Sequence, residues 1–133
     1  MTSPAPEVFL YGAPASLYTA KVRAFLRVRG VSHVERFPSH PRYREVVKPT
    51  VRSHRIPAVE FADGLIIQDS AAILDELERR YPDPITLGMG PRQALATHLL
   101  EVIADRGLAK PAMHFRWNFL EENQAFLVGE FGR

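Results

Sequence analysis

Residues 55 to 74 read RIPAVEFADGLIIQDSAAIL. In this stretch Pro57 opens an apolar run, Ala62-Asp63-Gly64 breaks it, and Gln68-Asp69-Ser70 stands immediately before a segment with helical spacing. Ala58 to Phe61 and Leu65 to Ile67 are two expected strands, because Asp-Gly between apolar runs supplies the backbone freedom that a tight hairpin needs. Ile73, Leu74, Leu77 and Tyr81 then recur at three- and four-residue intervals, the spacing of one helix face, and Pro82 stops the helix.

The residues before this stretch supply the rest of a sheet. Val8 to Tyr11 is a short apolar and aromatic run closed by Gly12-Ala13-Pro14, a strand followed by a turn. From Ser16 onward Tyr18, Val22, Phe25 and Leu26 fall at helical spacing, and Gly30 ends a helix expected over about 17–29. Residues 31–37, VSHVERF, alternate as a second strand before Pro38. The order strand, helix, strand, loop, hairpin, helix predicts an α/β fold with a four-stranded mixed sheet and helices on its faces. Pro82 to Pro91 has the composition of a linker. Beyond it Leu95, Leu99, Val102 and Ile103 define an amphipathic helix, and Trp117, Phe119, Phe126, Leu127 and Phe131 predict more helix in need of a packing surface. The expected division is a tail at 1–6, a first domain at 7–83, a linker at 84–91 and the beginning of an all-α domain at 92–133.

With 46% hydrophobic and 24% charged residues in 133, the chain can bury a core and is not of the disordered class. It contains no cysteine, which excludes a dithiol redox site, a disulfide frame and a thiolate metal site; thiol chemistry has to arrive with a ligand. MTSPAPEVFL lacks a charged n-region followed by an apolar h-region, and no apolar run approaches the roughly 18 residues of a membrane span, so a soluble cytoplasmic protein without a membrane partner is expected. The net charge of +2 hides a local excess: residues 36–55 hold six of the 17 Lys and Arg and only Glu45 of the 15 acidic residues. Phe37 and Tyr43 are the only stacking platforms there, and three prolines interrupt it, which points to a small anion rather than nucleic acid; a solvated loop is the plain alternative. None of the five histidines stands four residues from another, so no helical metal pair and no metal is expected.

Two blocks carry a family likeness. VFLYGAPASLYTAKVRAFL is similar to the strand, Ser-bearing loop and helix that open the cytosolic glutathione transferases, and IPAVEFADGLIIQDSAAILDEL resembles their Ile/Val-Pro, Asp-Gly and Glu/Gln-Ser-x-Ala-Ile signature. The first 87 or so residues thus resemble the thioredoxin-like N-terminal domain of that family, in a serine-type, bacterial-like form, and residues 91–133 resemble the start of its helical domain. The resemblance implies glutathione as co-substrate, attack of its thiolate on a small electrophile, a role in detoxification, and a homodimer.

It also implies roles residue by residue. The Ile56-Pro57 bond is cis in the family, which turns the Ile56 backbone outward to pair with an extended tripeptide as an added strand; ordinary punctuation at a strand start is the alternative. Ser70 would hold the γ-glutamyl carboxylate and Asp69 would face the ammonium, whereas either residue could equally be an N-cap. Lys48 and Arg55 are the first candidates for the glycyl carboxylate, with Arg42, Arg52, His40 and His54 behind them. Ser16 matches the thiol-activating serine, although Leu17 replaces the frequent proline; Tyr11 is the runner-up, with core packing as its other reading.

A serine suffices on energetic grounds. Lowering a thiol pKa by about two units needs roughly 2.7 kcal/mol. A hydrogen bond to a charged group gives about 1.5 to 3 kcal/mol and a helix N-terminus about 0.3 to 1 more. Two departures from the family pattern bear on turnover. Glu76 replaces a tyrosine of the third helix, and the sequence ends at Arg133, short of the remaining family helices, as a fragment or a shortened protein would. A non-catalytic interaction module, dimerising through its apolar tail, is therefore the second functional expectation.

Overall fold

The computed structural model describes residues 6–83 and 90–131; most of the expected tail and residues 84–89 of the expected linker lie outside them. The chain divides into two compact units, Met1–Pro82 and Asp83–Arg133. In the first, β1 (Val8–Tyr11), α1 (Leu17–Val28) and β2 (His33–Arg36) are followed by a π-helical turn (Tyr43–Val47) that runs into α2 (Lys48–Val51), then β3 (Ala58–Phe61), β4 (Ile66–Gln68) and α3 (Ser70–Arg80). The four strands form one sheet in the order β2-β1-β3-β4. β1 and β2 are parallel and the other two pairings antiparallel, which is the mixed, thioredoxin-like sheet expected.

Strand alternation sorts the core onto two faces. Val8, Leu10, Val59 and Phe61 point to one, where Val22 and Leu26 of α1 and Ile73 and Leu77 of α3 cover them. Tyr11 and Ala58 belong to the other, beneath Tyr43 and Val47 of the π-helical turn.

Segment 36–55 corrects the sequence reading. A loop was expected between Pro38 and Arg55, whereas Tyr43–Val51 is helical. Tyr43 and Val47 are four residues apart and both buried, which is the spacing of a helix face. Pro49 occupies a first-turn position of α2, where a missing N–H costs little.

β2 is shorter than expected because α1 consumes its first residue. Gly30, at φ 64°, donates its N–H to Arg27 O at 3.1 Å, and Val31 donates to Leu26 O at 2.9 Å. These two bonds close the helix in a Schellman turn, so Val31 caps α1 rather than joining the ladder. Thr19, rather than Tyr18, completes the buried face of α1 with Val22 and Leu26. Its side chain lies against Gly12, where an added Cβ would come within 2.3 Å of Thr19 Cγ2, so the turn after β1 accepts only glycine at this packing.

The second unit contains α4 (Pro91–Val102), a π-helical turn (Ile103–Leu108), α5 (Ala109–Trp117) and α6 (Leu120–Phe131). Asn123 Nδ2 donates to Phe115 O at 2.9 Å, and the rings of Phe115 and Phe119 stack at 5.9 Å, tying α6 to the end of α5. Leu127 is its one buried apolar residue among those described; Leu95, Leu99, Ile103, Phe115, Trp117 and Phe126 are exposed.

Candidate functional site

Strand register gathers the expected site residues at one end of the sheet. Tyr11 pairs with Ala58, and Ala58 pairs with Gln68, so the C-terminus of β1, the N-terminus of β3 and the C-terminus of β4 lie in one row. The loop to Ser16 leaves from the first, Ile56-Pro57 enters at the second, and Asp69-Ser70 follows the third. Arg36 pairs with Tyr11 at the end of β2, so the basic segment departs from the same row.

Ile56-Pro57 is the cis peptide bond of the described chain. Pro57 is buried, Ile56 packs partly against the Tyr11 cluster, and its backbone N–H and C=O make no hydrogen bond with a described residue.

Ser16 is the N-cap of α1. Its backbone is extended (φ −77°, ψ 120°), and its Oγ accepts the Thr19 N–H at 3.2 Å. That bond uses an oxygen lone pair and leaves the hydroxyl proton to donate elsewhere.

Asp69 caps α3 with Oδ1, which accepts from Ala71 N–H at 2.9 Å and Ala72 N–H at 3.4 Å. Its φ of 88° is left-handed, unusual for a residue with a side chain and maintained by the surrounding turn. Ser70 begins the helix and is only 6% exposed, yet its Oγ bonds to no described residue. The cap assigned to Asp69 thus coexists with an unbonded Ser70 hydroxyl at a helix N-terminus.

Tyr11 resolves differently from Ser16. It is fully buried, and its phenol donates to Glu60 Oε2 at 2.8 Å and accepts from Arg36 Nη1 at 3.3 Å. Arg42 grips Glu60 from outside, with Nε at 3.1 Å from Oε1 and Nη2 on the same oxygen. The Arg42 hydrogen bond, against the opposing effect of burial, holds the Glu60 carboxyl below the usual carboxylate range. Burial and then the Glu60 hydrogen bond push the Tyr11 phenol up, and its proton is engaged by Glu60. Glu60 went unread in the sequence. A lone Glu at an inward position of VEF was the available signal, since a buried carboxylate requires cationic partners.

The basic segment separates into two groups. Arg36 lies over the Phe9 ring at 4.1 Å, and Arg42, its side chain half exposed, pairs with Glu60. Arg44, Lys48, Pro49, Arg52, Ser53 and His54 line an open pocket of ≈ 330 Å³. Lys48 is there; Arg55 is not, although it adjoins Ile56 in the chain and is exposed. His40 Nδ1 accepts the Arg42 N–H at 3.2 Å. Among the described residues no cluster of three or more His, Asp or Glu could hold a metal, and no helix is long and apolar enough to cross a membrane.

With this geometry in place, the family pattern described as "Glutathione S-transferase, N-terminal domain" matches residues 10–85. Among solved structures, a glutathione S-transferase from Rhodospirillum rubrum aligns at 26% identity over 74% of this chain and 45% of its own, with a TM-score of 0.63. One from Methylobacterium radiotolerans, in complex with glutathione sulfonate, aligns at 28% identity over 74% of this chain and 46% of its own, also at 0.63. A glutathione transferase homologue from Sulfitobacter with bound glutathione, 16% identical over 85% of this chain and 55% of its own, shows the same fold at a TM-score of 0.65. The chain spans less than half the length of the first two. No curated protein matches it.

Proposed function

This chain belongs to the glutathione S-transferase family, matched through its N-terminal domain, and on that premise we propose that it binds glutathione at the row Tyr11, Ala58, Gln68 and presents the thiolate to a small electrophile. That row carries the reading, because it brings three differently acting groups to one sheet end. The unpaired Ile56 backbone next to Pro57 receives the cysteinyl residue as an added strand. Ser70, nearly buried and unbonded at the α3 N-terminus, takes the γ-glutamyl carboxylate. Asp69 uses one carboxylate oxygen as cap and keeps the other for the ammonium.

Ser16 is the thiolate partner in this reading. Its lone pair serves the cap and its proton serves the sulfur, so the two roles expected of it are compatible. The Tyr11 phenol, occupied by Glu60 and Arg36, is assigned to the core. The glycyl carboxylate falls to Arg55 or Lys48. The thiolate then forms a sulfur–carbon bond as the electrophile's leaving group departs, a conjugation suited to detoxification in the cytoplasm. Residues 7–83 form the glutathione-binding domain and 92–133 the beginning of the helical domain.

The test is calorimetric titration of the chain with glutathione, repeated on Ser70→Ala. One-site binding weakened by about 1 kcal/mol or more is the expected outcome; ultraviolet thiolate absorbance lost in Ser16→Ala assigns the second role. No binding at millimolar glutathione overturns the reading. The second reading, a homodimerising interaction module, is favoured by the exposed apolar residues of 91–131 and gains if glutathione is not bound.

A further inference from the structure

Of the six cations between Arg36 and Arg55, two are spoken for inside the molecule: Arg36 by Tyr11 and Phe9, Arg42 by Glu60. Arg44, Lys48 and Arg52 are different. They follow one another at intervals of four along Tyr43–Val51 and its C-cap, all are exposed, and none forms an ion pair with a described residue. The three line one open pocket of ≈ 330 Å³ with His54, Ser53 and Pro49, and no acidic residue lines it. The nearby acid in the chain, Glu45, is not part of the lining.

This arrangement works against the local fold. Like charges four residues apart repel on a helix, and here two such pairs succeed each other along a short helical segment and its C-cap. Arg52 caps the helix in the left-handed conformation, φ 51° and ψ 35°, at a position that glycine or asparagine fills with less strain. The dipole accounts for cations toward the C-terminal end of the segment, but not for their gathering in one pocket whose lining includes no acid.

We propose that this pocket is a second anion site, separate from the glutathione site, for a phosphate-type dianion carried by a small molecule or free in solution. Arg44 and Arg52 flank the anion from either end of the segment with the guanidinium geometry that pairs with phosphate oxygens, Lys48 contributes a central point charge, and Ser53 and His54 add hydrogen-bonding groups. Three unpaired cations lining one pocket match the charge of a dianion better than that of a single carboxylate. The assignment places Lys48 in this pocket and leaves the glycyl carboxylate of glutathione to Arg55.

Titration of the full chain with inorganic phosphate at low ionic strength, with chloride at matched ionic strength as control, tests it. Expected is one-site saturation that chloride does not reproduce, weakened about tenfold or more in the double variant Arg44→Gln, Arg52→Gln, unchanged in Ser70→Ala and unchanged when glutathione is added first. Vesicles carrying phosphatidic acid distinguish a lipid phosphate from a soluble one; binding of vesicles without binding of inorganic phosphate overturns the small-dianion assignment, as does binding confined to oligonucleotides. Competition between phosphate and glutathione would make the pocket part of the peptide site and sink the separate-site inference. Phosphate binding without any glutathione binding removes the proposed function and leaves this inference standing.

Discussion

At the level of single residues, the question is what a buried phenol and a buried carboxylate do for each other. Tyr11 donates to Glu60, which Arg42 also holds, so removing the hydroxyl leaves a nearly dry carboxylate short of one donor. Tyr11→Phe is expected to destabilise the chain by about 1 to 3 kcal/mol in denaturant unfolding, while leaving the thiolate signal of bound glutathione intact; loss of that signal with unchanged stability would return Tyr11 to the chemistry. The Glu60 carboxyl sits below its ordinary value of 4.5 because Arg42 bonds to its charged form. A carboxyl whose folded pKa is depressed contributes stability above its unfolded pKa and loses it as the pH falls through the folded one. Wild-type stability should therefore fall below about pH 4.5, and Glu60→Gln should be less stable at neutral pH but show a shallower acid decline. Glu76, held down to about 2 by Arg79 and then Arg80, continues that decline at lower pH in both proteins, so the difference curve isolates Glu60. At this scale the sequence was readable where a residue acts through its own chain position, as Ser16, Asp69 and Ser70 do at helix starts. It was silent on Glu60, whose partners come from Tyr11 and Arg42, 49 and 18 residues away.

Among the elements, α3 shows how a cap and a strained backbone share one turn. Asp69 caps the helix with two N–H bonds, but holds φ at 88°, where a glycine would rest without strain. Replacing it by alanine removes the cap and keeps the strain, at a cost of about 1 kcal/mol. Glycine removes the cap and the strain together, so Asp69→Gly is expected to be more stable than Asp69→Ala by about 1 kcal/mol or more, read as the difference in unfolding midpoints at constant slope. Equal stabilities would mean that the backbone does not retain that conformation in solution. The hairpin, α1 and α3 were legible because Asp63-Gly64, Gly30 and Pro82 punctuate them. The helical segment Tyr43–Val51 was not, because Pro41 and Pro49 frame it as a loop and only the buried pair Tyr43 and Val47 betrays its face. A proline at a helix start and one inside a loop look alike in one dimension; which it is depends on whether the sheet offers Tyr11 and Ala58 as a surface to cover.

Across the whole molecule, the two units differ in how much apolar surface each removes from water. The sheet unit buries aromatic and aliphatic side chains on both faces, from Val8 through Leu77, and these are self-supporting in the sense that strands, α1 and α3 supply one another's contacts. Within 91–131, helix formation is local, and Leu127 alone of the described apolar residues is buried. Isolated helices of about 12 residues are marginal in water without an amphipathic face to pack. Amide hydrogen exchange on the full chain should therefore separate the two: amides of β1, β3, α1 and α3 should exchange only through the global opening of the sheet unit, and those of α4 to α6 through local opening at far lower free energy. Repeating the experiment across a concentration series gives the result its functional meaning. If protection in 91–131 rises with concentration alongside a larger sedimenting species, the exposed leucines and aromatics are covered by a second copy, as the dimer reading requires. Protection in 91–131 equal to that of the sheet at every concentration would contradict the division of stability drawn here, since it would require the helical unit to possess a core that its exposed side chains do not provide.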